Sequence, residues 1–299
     1  MFLTGFTDEA AQDIEGQIRA IKELGWEHLE LRTVGGKNAH DISNHAFKEV
    51  EKKLAKAKVK VSCLGSNIAN WSKSIESPFG ATIEILKRAV LRAKALEIPF
   101  IRIMSYAVRE DENEEPLEEQ WEDERFKRLK EICRILLDNG ITPLHENCYN
   151  YGGMSWKHSL RLLEEVPGLK LAFDTGNPPV QADYSQSAPY PRQSSWEFYL
   201  KVKDYIEYVH IKDAIFKEET GEEIYTFPGE GDGDVKRIVK DLLDSGYHGG
   251  FSIEPHMAVI YHNKSIKASE EEKYHNFVKY GIKFMQLLDE ASSKSQQHV

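Results

Sequence analysis

Cysteine is scarce in this sequence. Cys63, Cys133 and Cys148 are an odd number with no CxxC spacing, which argues against a disulfide framework or a zinc knuckle and makes a reducing cytoplasm the expected setting. Positive charge is also in deficit: 39 Lys and Arg stand against 49 Asp and Glu, a formal charge of −10. The average field therefore repels a polyanion and counts against nucleic acid as a partner. Long apolar runs are missing. No segment approaches the roughly 20 residues that a membrane-spanning helix needs, so no membrane partner is expected, and the opening MFLTGFTDEA meets Asp8 and Glu9 too early for a secretory leader. Neither GxGxxG nor GxxxxGK[ST] stands between the first strand and the first helix, so the usual phosphate-binding signatures of open α/β sheets are absent.

What the 299 residues contain is an alternation, on a composition of 40% hydrophobic and 29% charged residues that suffices for a globular core. Short β-branched or aromatic runs predict strands at Phe2–Phe6, His28–Thr33, Lys60–Gly65, Phe100–Ser105, Thr142–Asn147, Lys170–Thr175, Glu207–Lys212 and Gly250–Pro255. Between them lie segments of helical period, such as Ile14, Ile18, Ile21 and Leu24, or Ile83, Leu86, Val90, Ala93 and Leu96. Ser77 before Pro78 reads as an N-cap, Ser194 with Glu197 as a capping box, and Gly25, Gly140 and Gly246 as helix ends. The pattern predicts a single-domain (β/α)8 TIM barrel over residues 1–290, with 291–299 a disordered tail; a doubly wound open sheet is the alternative. The acidic stretch from Val108 to Arg125 reads as a solvated loop and helix start. Residues 178–193 and 214–233, which follow the sixth and seventh strands, are candidate lids.

Alternation along a barrel strand then sorts side chains. If Leu29 and Leu31 face the helices, His28, Glu30 and Arg32 face the axis; likewise Tyr208, His210 and Lys212, and Ser252 and Glu254, point inward. Glu146 and Asp174 aim at the axis near their strand ends. Each alone is more often a salt-bridge partner, a helix cap or a packed residue than a ligand. Four on consecutive strands are harder to explain that way. Three converging carboxylates raise one another's pKa values and call for a compensating cation; three oxygen donors and one imidazole suit one divalent metal ion, Mn2+ first, then Mg2+, Co2+ or Zn2+.

The segments GFTDEA, ELRTVGGKN, LHEN, FDTGN, YVHIKDA, PGEGDGD and SIEPH, in this order and spacing, resemble the sugar-phosphate isomerase/epimerase group of the xylose-isomerase-like TIM barrels over nearly the whole chain. The resemblance implies that Glu146, Asp174, His210 and Glu254 are the metal ligands and that self-association is common. In the ketose 3-epimerases of the group it makes Glu146 and Glu254 the acid/base pair. Those enzymes carry a histidine where this chain has Asn177, a carboxylate where it has Gly152 and an arginine where it has Phe216, so the metal residues are kept while the epimerase pattern is not.

The expected function is a divalent-metal-dependent sugar isomerase or epimerase that abstracts a proton next to a carbonyl and passes through a metal-stabilised enediolate. Its partner would be a small sugar or polyol. His145, Asn147, Asn177, Lys212, His256, Glu30 and Arg32 are the second tier, as substrate-binding or supporting residues; for Lys212, pairing with a carboxylate such as Glu30 is an equal reading. A lyase or dehydratase acting on a keto-sugar or keto-inositol would use the same site. An apurinic-site endonuclease is the rival from another class, against which GSNIANW and SYAVRE after the third and fourth strands offer no histidine. A non-catalytic sugar-binding barrel with a structural metal is the third.

Overall fold

The computed structural model describes residues 1–258 and 268–295, with side chains through Ser292. All eight expected strand segments are strands: β1 (Phe2–Gly5), β2 (His28–Leu31), β3 (Lys60–Gly65), β4 (Phe100–Ile103), β5 (Thr142–Glu146), β6 (Lys170–Asp174), β7 (Ile206–Ile211) and β8 (Gly250–Ile253). They pair in parallel in the order β1-β8-β7-β6-β5-β4-β3-β2, and a parallel bridge between Phe6 and Glu30 brings the two ends together. That bridge decides for the barrel over the open sheet.

Among the described residues eight α-helices alternate with the strands: α1 (Ile14–Glu23), α2 (Asn44–Ala57), α3 (Phe79–Ala95), α4 (Glu122–Asp138), α5 (Trp156–Glu165), α6 (Ser195–Val202), α7 (Val235–Asp244) and α8 (Glu270–Ser295). Their apolar stripes meet the outward strand residues in one continuous layer that joins Ile14, Ile21 and Leu86 to Leu29, Val209 and Ile253. A separate cluster of Cys63, Leu144, Ala172 and Tyr208 fills the barrel interior at the N-terminal end, where Phe2 and Phe100 pack against it. Above it the polar contacts Thr4 Oγ1 to Ser62 Oγ at 3.0 Å and Ser62 Oγ to Tyr208 Oη at 2.9 Å begin a charged upper half. The plugged floor closes the barrel interior from below, so among the described residues the interior opens at the C-terminal mouth.

Several local expectations need correction. Ser77 is not the cap of α3: the helix starts at Phe79 without a side-chain cap, and Ser77 gives its carbonyl to Arg128 Nη1 at 2.8 Å. Ser194 Oγ does accept from Glu197 N at 3.2 Å, the serine half of the expected box. Gly25, Gly140 and Gly246 have φ of 72°, 74° and 75°, the left-handed conformation that ends a helix cheaply only at glycine. Residues 214–233 are not an open loop throughout, since Ala214–Lys217 and Glu222–Tyr225 form an antiparallel hairpin. A second hairpin pairs Thr33–Val34 with Lys37–Asn38, turned by Gly35 and Gly36 at φ of 59° and 73°, as a tight two-residue turn requires. Of the expected tail, 291–295 belong to α8; 296–299 lie outside the described residues.

The acidic loop before α4 is exposed along most of its length, but it is anchored by a fully buried arginine. Arg125 donates to the carbonyls of Ser105 at 2.5 Å, Gln120 at 2.5 Å and Ala107 at 2.8 Å. Replacing it strands buried acceptors, each of which costs about 1–3 kcal/mol. We expect Arg125→Met to lower the unfolding free energy by about 2–5 kcal/mol in urea titrations. A change below 1 kcal/mol would show that the loop is held by other contacts.

Candidate metal centre

The parallel register lines up the ends of adjacent strands. Asp174 on β6 stands opposite His210 on β7, and His210 opposite Ser252 on β8. Glu146 ends β5, and Glu254 follows β8 directly. One donor atom from each of Glu146, Asp174, His210 and Glu254 can be chosen so that all four lie within 4.8 Å of one another, and all four side chains are buried. Ligands of an octahedral Mg2+ or Mn2+ ion, with bonds of about 2.1 Å, stand roughly 3–4 Å apart. The donor set therefore fits a hard divalent ion after small side-chain rotations.

The surroundings orient each donor. His210 presents Nδ1 to Glu146 Oε1 at 3.3 Å and to Asp174 Oδ2 at 4.0 Å. Its Nε2 faces Glu30 Oε2 at 3.3 Å, and Ser252 Oγ donates to that same oxygen at 2.7 Å. A carboxylate behind a ligating imidazole fixes the ring and its tautomer. Glu30 accordingly sits beneath the histidine and not on the cavity wall. Asp174 Oδ1 accepts the backbone N–H groups of Gly176 at 2.8 Å and Asn177 at 2.9 Å. Asn147 clamps the same strand, accepting from Asp174 N at 2.7 Å and donating to Asp174 O at 3.0 Å.

The charge of the carboxylates, for which the sequence calls for a compensating cation, is shared here by side chains. Lys212 Nζ lies 2.9 Å from Asp174 Oδ2 and 3.1 Å from Glu254 Oε2. Arg32 donates to Glu254 Oε1 at 2.9 Å and to Glu9 Oε1 at 3.1 Å. Arg102 donates to Glu146 Oε2 at 2.8 Å. Phe6 lies between the two arginines, its ring centre 4.2 Å from the Arg32 guanidinium and 5.2 Å from that of Arg102. A second acid and imidazole group, Glu9, Glu254 and His256, is already spanned by Arg32.

Burial pushes the Glu146 carboxyl up, but Arg102 and His210 outweigh it and leave it lowered to about 2. Burial likewise opposes ionisation of Glu254, yet Lys212, His256 and Arg32 hold it well below the usual carboxylate range. Burial raises Asp174 to about 7, with Lys212 opposing and the other carboxylates adding. Burial would lower His210, but Glu30 and Glu146 raise it to about 10.

A cavity of about 280 Å3 opens above this cluster, with Arg32, Asn177, Lys212, Glu146, Glu254 and His256 on its wall. His256 has a left-handed backbone, φ 53°, an uncommon conformation for a non-glycine residue. It is held there by Glu9, which accepts from His256 N at 2.8 Å and lies 2.9 Å from Nδ1. His145 points the other way, toward Ser105 Oγ and Asn150 Oδ1, each at 3.1 Å, and does not line the cavity. Neither does Asn147. A Cβ on Gly152 would come 2.3 Å from His145 Cε1, so the position of the epimerase carboxylate is closed by that imidazole. Lys212 is steadied by its neighbour: Asp213 accepts the N–H groups of Gly229 at 2.7 Å, Gly231 at 3.0 Å and Gly233 at 2.8 Å. The PGEGDGD loop thus wraps one carboxylate.

Arg102, Asp8 and Glu9 were missed from sequence. Arg102 sits between outward Ile101 and Ile103, so the alternation applied to β7 and β8 would have found it. Asp8 and Glu9 lie in a short 3-10 turn after β1, which has no periodic signal.

The sequence pattern of the xylose isomerase-like TIM barrel family matches residues 18–274, and the chain belongs to that family. No curated protein matches it by sequence. Among solved structures, a D-tagatose 3-epimerase-like protein shares 18% identity over 99% of this chain and 100% of its own, with a TM-score of 0.71. A xylose isomerase-like TIM barrel protein from Mycobacterium smegmatis in complex with magnesium shares 16% over 97% of both chains, TM-score 0.68. A probable 3-DHS dehydratase from Bacillus anthracis shares 15% over 95% of this chain and 98% of its own, TM-score 0.66. At such identities the likeness establishes the fold. Among the described residues no helix is long and apolar enough to cross a membrane.

The raised His210 gives a test of the donor set. In the metal-free chain its pairs with Glu30 and Glu146 contribute fully below pH 6.5 and are lost as pH rises through about 10. A ligated imidazole must be neutral. Mn2+ uptake at pH 7 is therefore expected to release between about one and two protons per ion, from His210 and in part from Asp174, with affinity rising about tenfold per pH unit from 7 to 9. Calorimetry in buffers of different ionisation enthalpy reads this directly; uptake without proton release would remove His210 from the ligand set.

Proposed function

We propose that this chain is a divalent-metal-dependent isomerase or epimerase of small sugar-like polyols, working by proton transfer at a carbon next to a carbonyl. One observation carries the reading: Glu146, Asp174, His210 and Glu254 converge in a buried group at the mouth of the barrel, and two of them, Glu146 and Glu254, also face the cavity. Mn2+ is the first choice of ion; Mg2+ has the support of the magnesium-bound relative. A bound divalent cation supplies Lewis acidity, polarising a carbonyl and acidifying the adjacent C–H bond.

The remaining steps belong to the chain's own residues. Glu146 is held ionised by Arg102 and is available as a base. Glu254, oriented and kept ionised by Arg32 and Lys212, relays a proton from solvent in the cavity to the other face, while Glu146 gives the abstracted proton back to solvent; the two exchange roles in the reverse direction. Lys212, Asn177 and His256 present donors to substrate hydroxyls from the cavity wall. Arg32 and Glu30 act as supports, the first on Glu254 and the second on His210. His145 and Asn147 hold the strand ends in register. The dehydratase among the structural relatives keeps elimination as the second outcome, since removal of the same proton precedes loss of a β-hydroxyl.

The test is incubation of ketoses and keto-inositols in D2O with Mn2+. Solvent deuterium in an epimer or isomer is the expected result, and Glu146→Gln and Glu254→Gln should each slow it by about 10²–10⁴-fold. Loss of water in place of exchange moves the assignment to a lyase. Absence of any metal-dependent turnover across the panel sinks both.

A further inference from the structure

Beside the metal cavity lies a second one of about 320 Å3, set between the segments that follow β4 and β6. Val108, Met154, Val180, Ala182 and Tyr184 line it beside Glu110, Asn150, Gln181 and Arg192, whereas charged and amide side chains are the more numerous on the wall of the first cavity. The two cavities share Trp71 and Tyr149, which are 39% and 38% exposed. A ligand can therefore lie across this pair of rings with one end in each cavity. Both volumes sit near the lower end of the range of about 300–1,000 Å3 that small-molecule sites occupy, so neither accepts a large ligand by itself.

We propose that the substrate has two parts: a polyol or keto-sugar head in the metal cavity, and a neutral, planar, apolar group joined to it across Trp71 and Tyr149 and seated in this annex. The placement of the head rests on the function proposed above; the annex is defined by its own walls. Those walls are tied down. Tyr184 N donates to Met154 O at 3.0 Å, Asp183 N to Pro191 O at 2.8 Å and Arg125 Nη2 to Ala107 O at 2.8 Å. The two charges on the annex wall argue for a neutral occupant. Arg192 is committed elsewhere, stacked 3.5 Å over the Phe216 ring, donating to Val180 O at 3.1 Å and paired with Glu218 at 3.3 Å. Glu110 repels an anion. Tyr184 and Met154 supply a ring face and a deformable thioether, both suited to a flat apolar group.

Burying such a group should tighten binding on the order of tenfold to a hundredfold over a methyl glycoside. The experiment uses the Mn2+-loaded full chain with 4-nitrophenol alone at about pH 6, where the phenol is mostly neutral, followed by saturation-transfer NMR, and with 4-nitrophenyl and methyl glycosides of glucose and galactose, followed by calorimetry. Val108→Trp and Ala182→Trp each fill the annex from a different wall. The expected result is saturable 4-nitrophenol binding that survives Glu146→Gln and is lost in both tryptophan variants while their Mn2+ affinity stays unchanged, together with aryl glycosides at least tenfold tighter than methyl ones. The proposal is overturned if 4-nitrophenol does not bind saturably, if its binding persists in both filled variants, or if aryl and methyl glycosides do not differ. Loss of Mn2+ uptake with 4-nitrophenol binding retained would sink the metal reading and uphold the annex.

Discussion

The constraint on which the upper half of this barrel depends is the burial of several carboxylates within a few ångströms of one another. Removing ionised carboxylates from water is tolerable only when each meets an opposite charge or a set of N–H donors. Here every member of the cluster has such a partner. Glu146 has Arg102, Glu254 has Arg32 and Lys212, Asp174 has Lys212 and two backbone N–H groups, and Glu30 has His210 and Ser252. The network keeps Glu146 and Glu254 ionised near neutral pH, while burial leaves Asp174 raised to about 7.

The same network is held in place by the segments around it. Arg32 reaches its partners from the end of β2 because the Thr33–Asn38 hairpin turns the chain away immediately. Lys212 is positioned because Asp213, the next residue, is wrapped by the glycine-rich loop before α7, where a Cβ on Gly231 would come 2.6 Å from the Asp213 carboxylate. His256 is held in a strained backbone by two contacts from Glu9, and strain of that kind persists only where neighbours over-determine it. The geometry of the cluster and the packing of the surrounding loops are thus coupled through the same ion pairs.

The departures from the ketose epimerase pattern also become physical. The carboxylate expected at 152 is excluded by His145, and the ring of Phe216, where an arginine was expected, is covered by Arg192 from another loop. The four donors implied by the resemblance stand together while the wall beyond them differs, and there the cavity over the cluster meets a second one at Trp71 and Tyr149.

By itself the sequence determined the repeating strand–helix pattern, the inward set Glu30, Arg32, Tyr208, His210, Lys212 and Glu254, and that Glu146, Asp174, His210 and Glu254 would meet, because side-chain period and strand order are local properties that apolar residues report directly. Only the tertiary structure decided that Arg102, Asp8 and Glu9 join the cluster, that Glu30 supports His210 from below, that His145 faces away, and that residues 214–225 are a hairpin. Those outcomes depend on contacts between segments far apart in the chain, where register and loop path, neither of them written in a local pattern, set which charges meet.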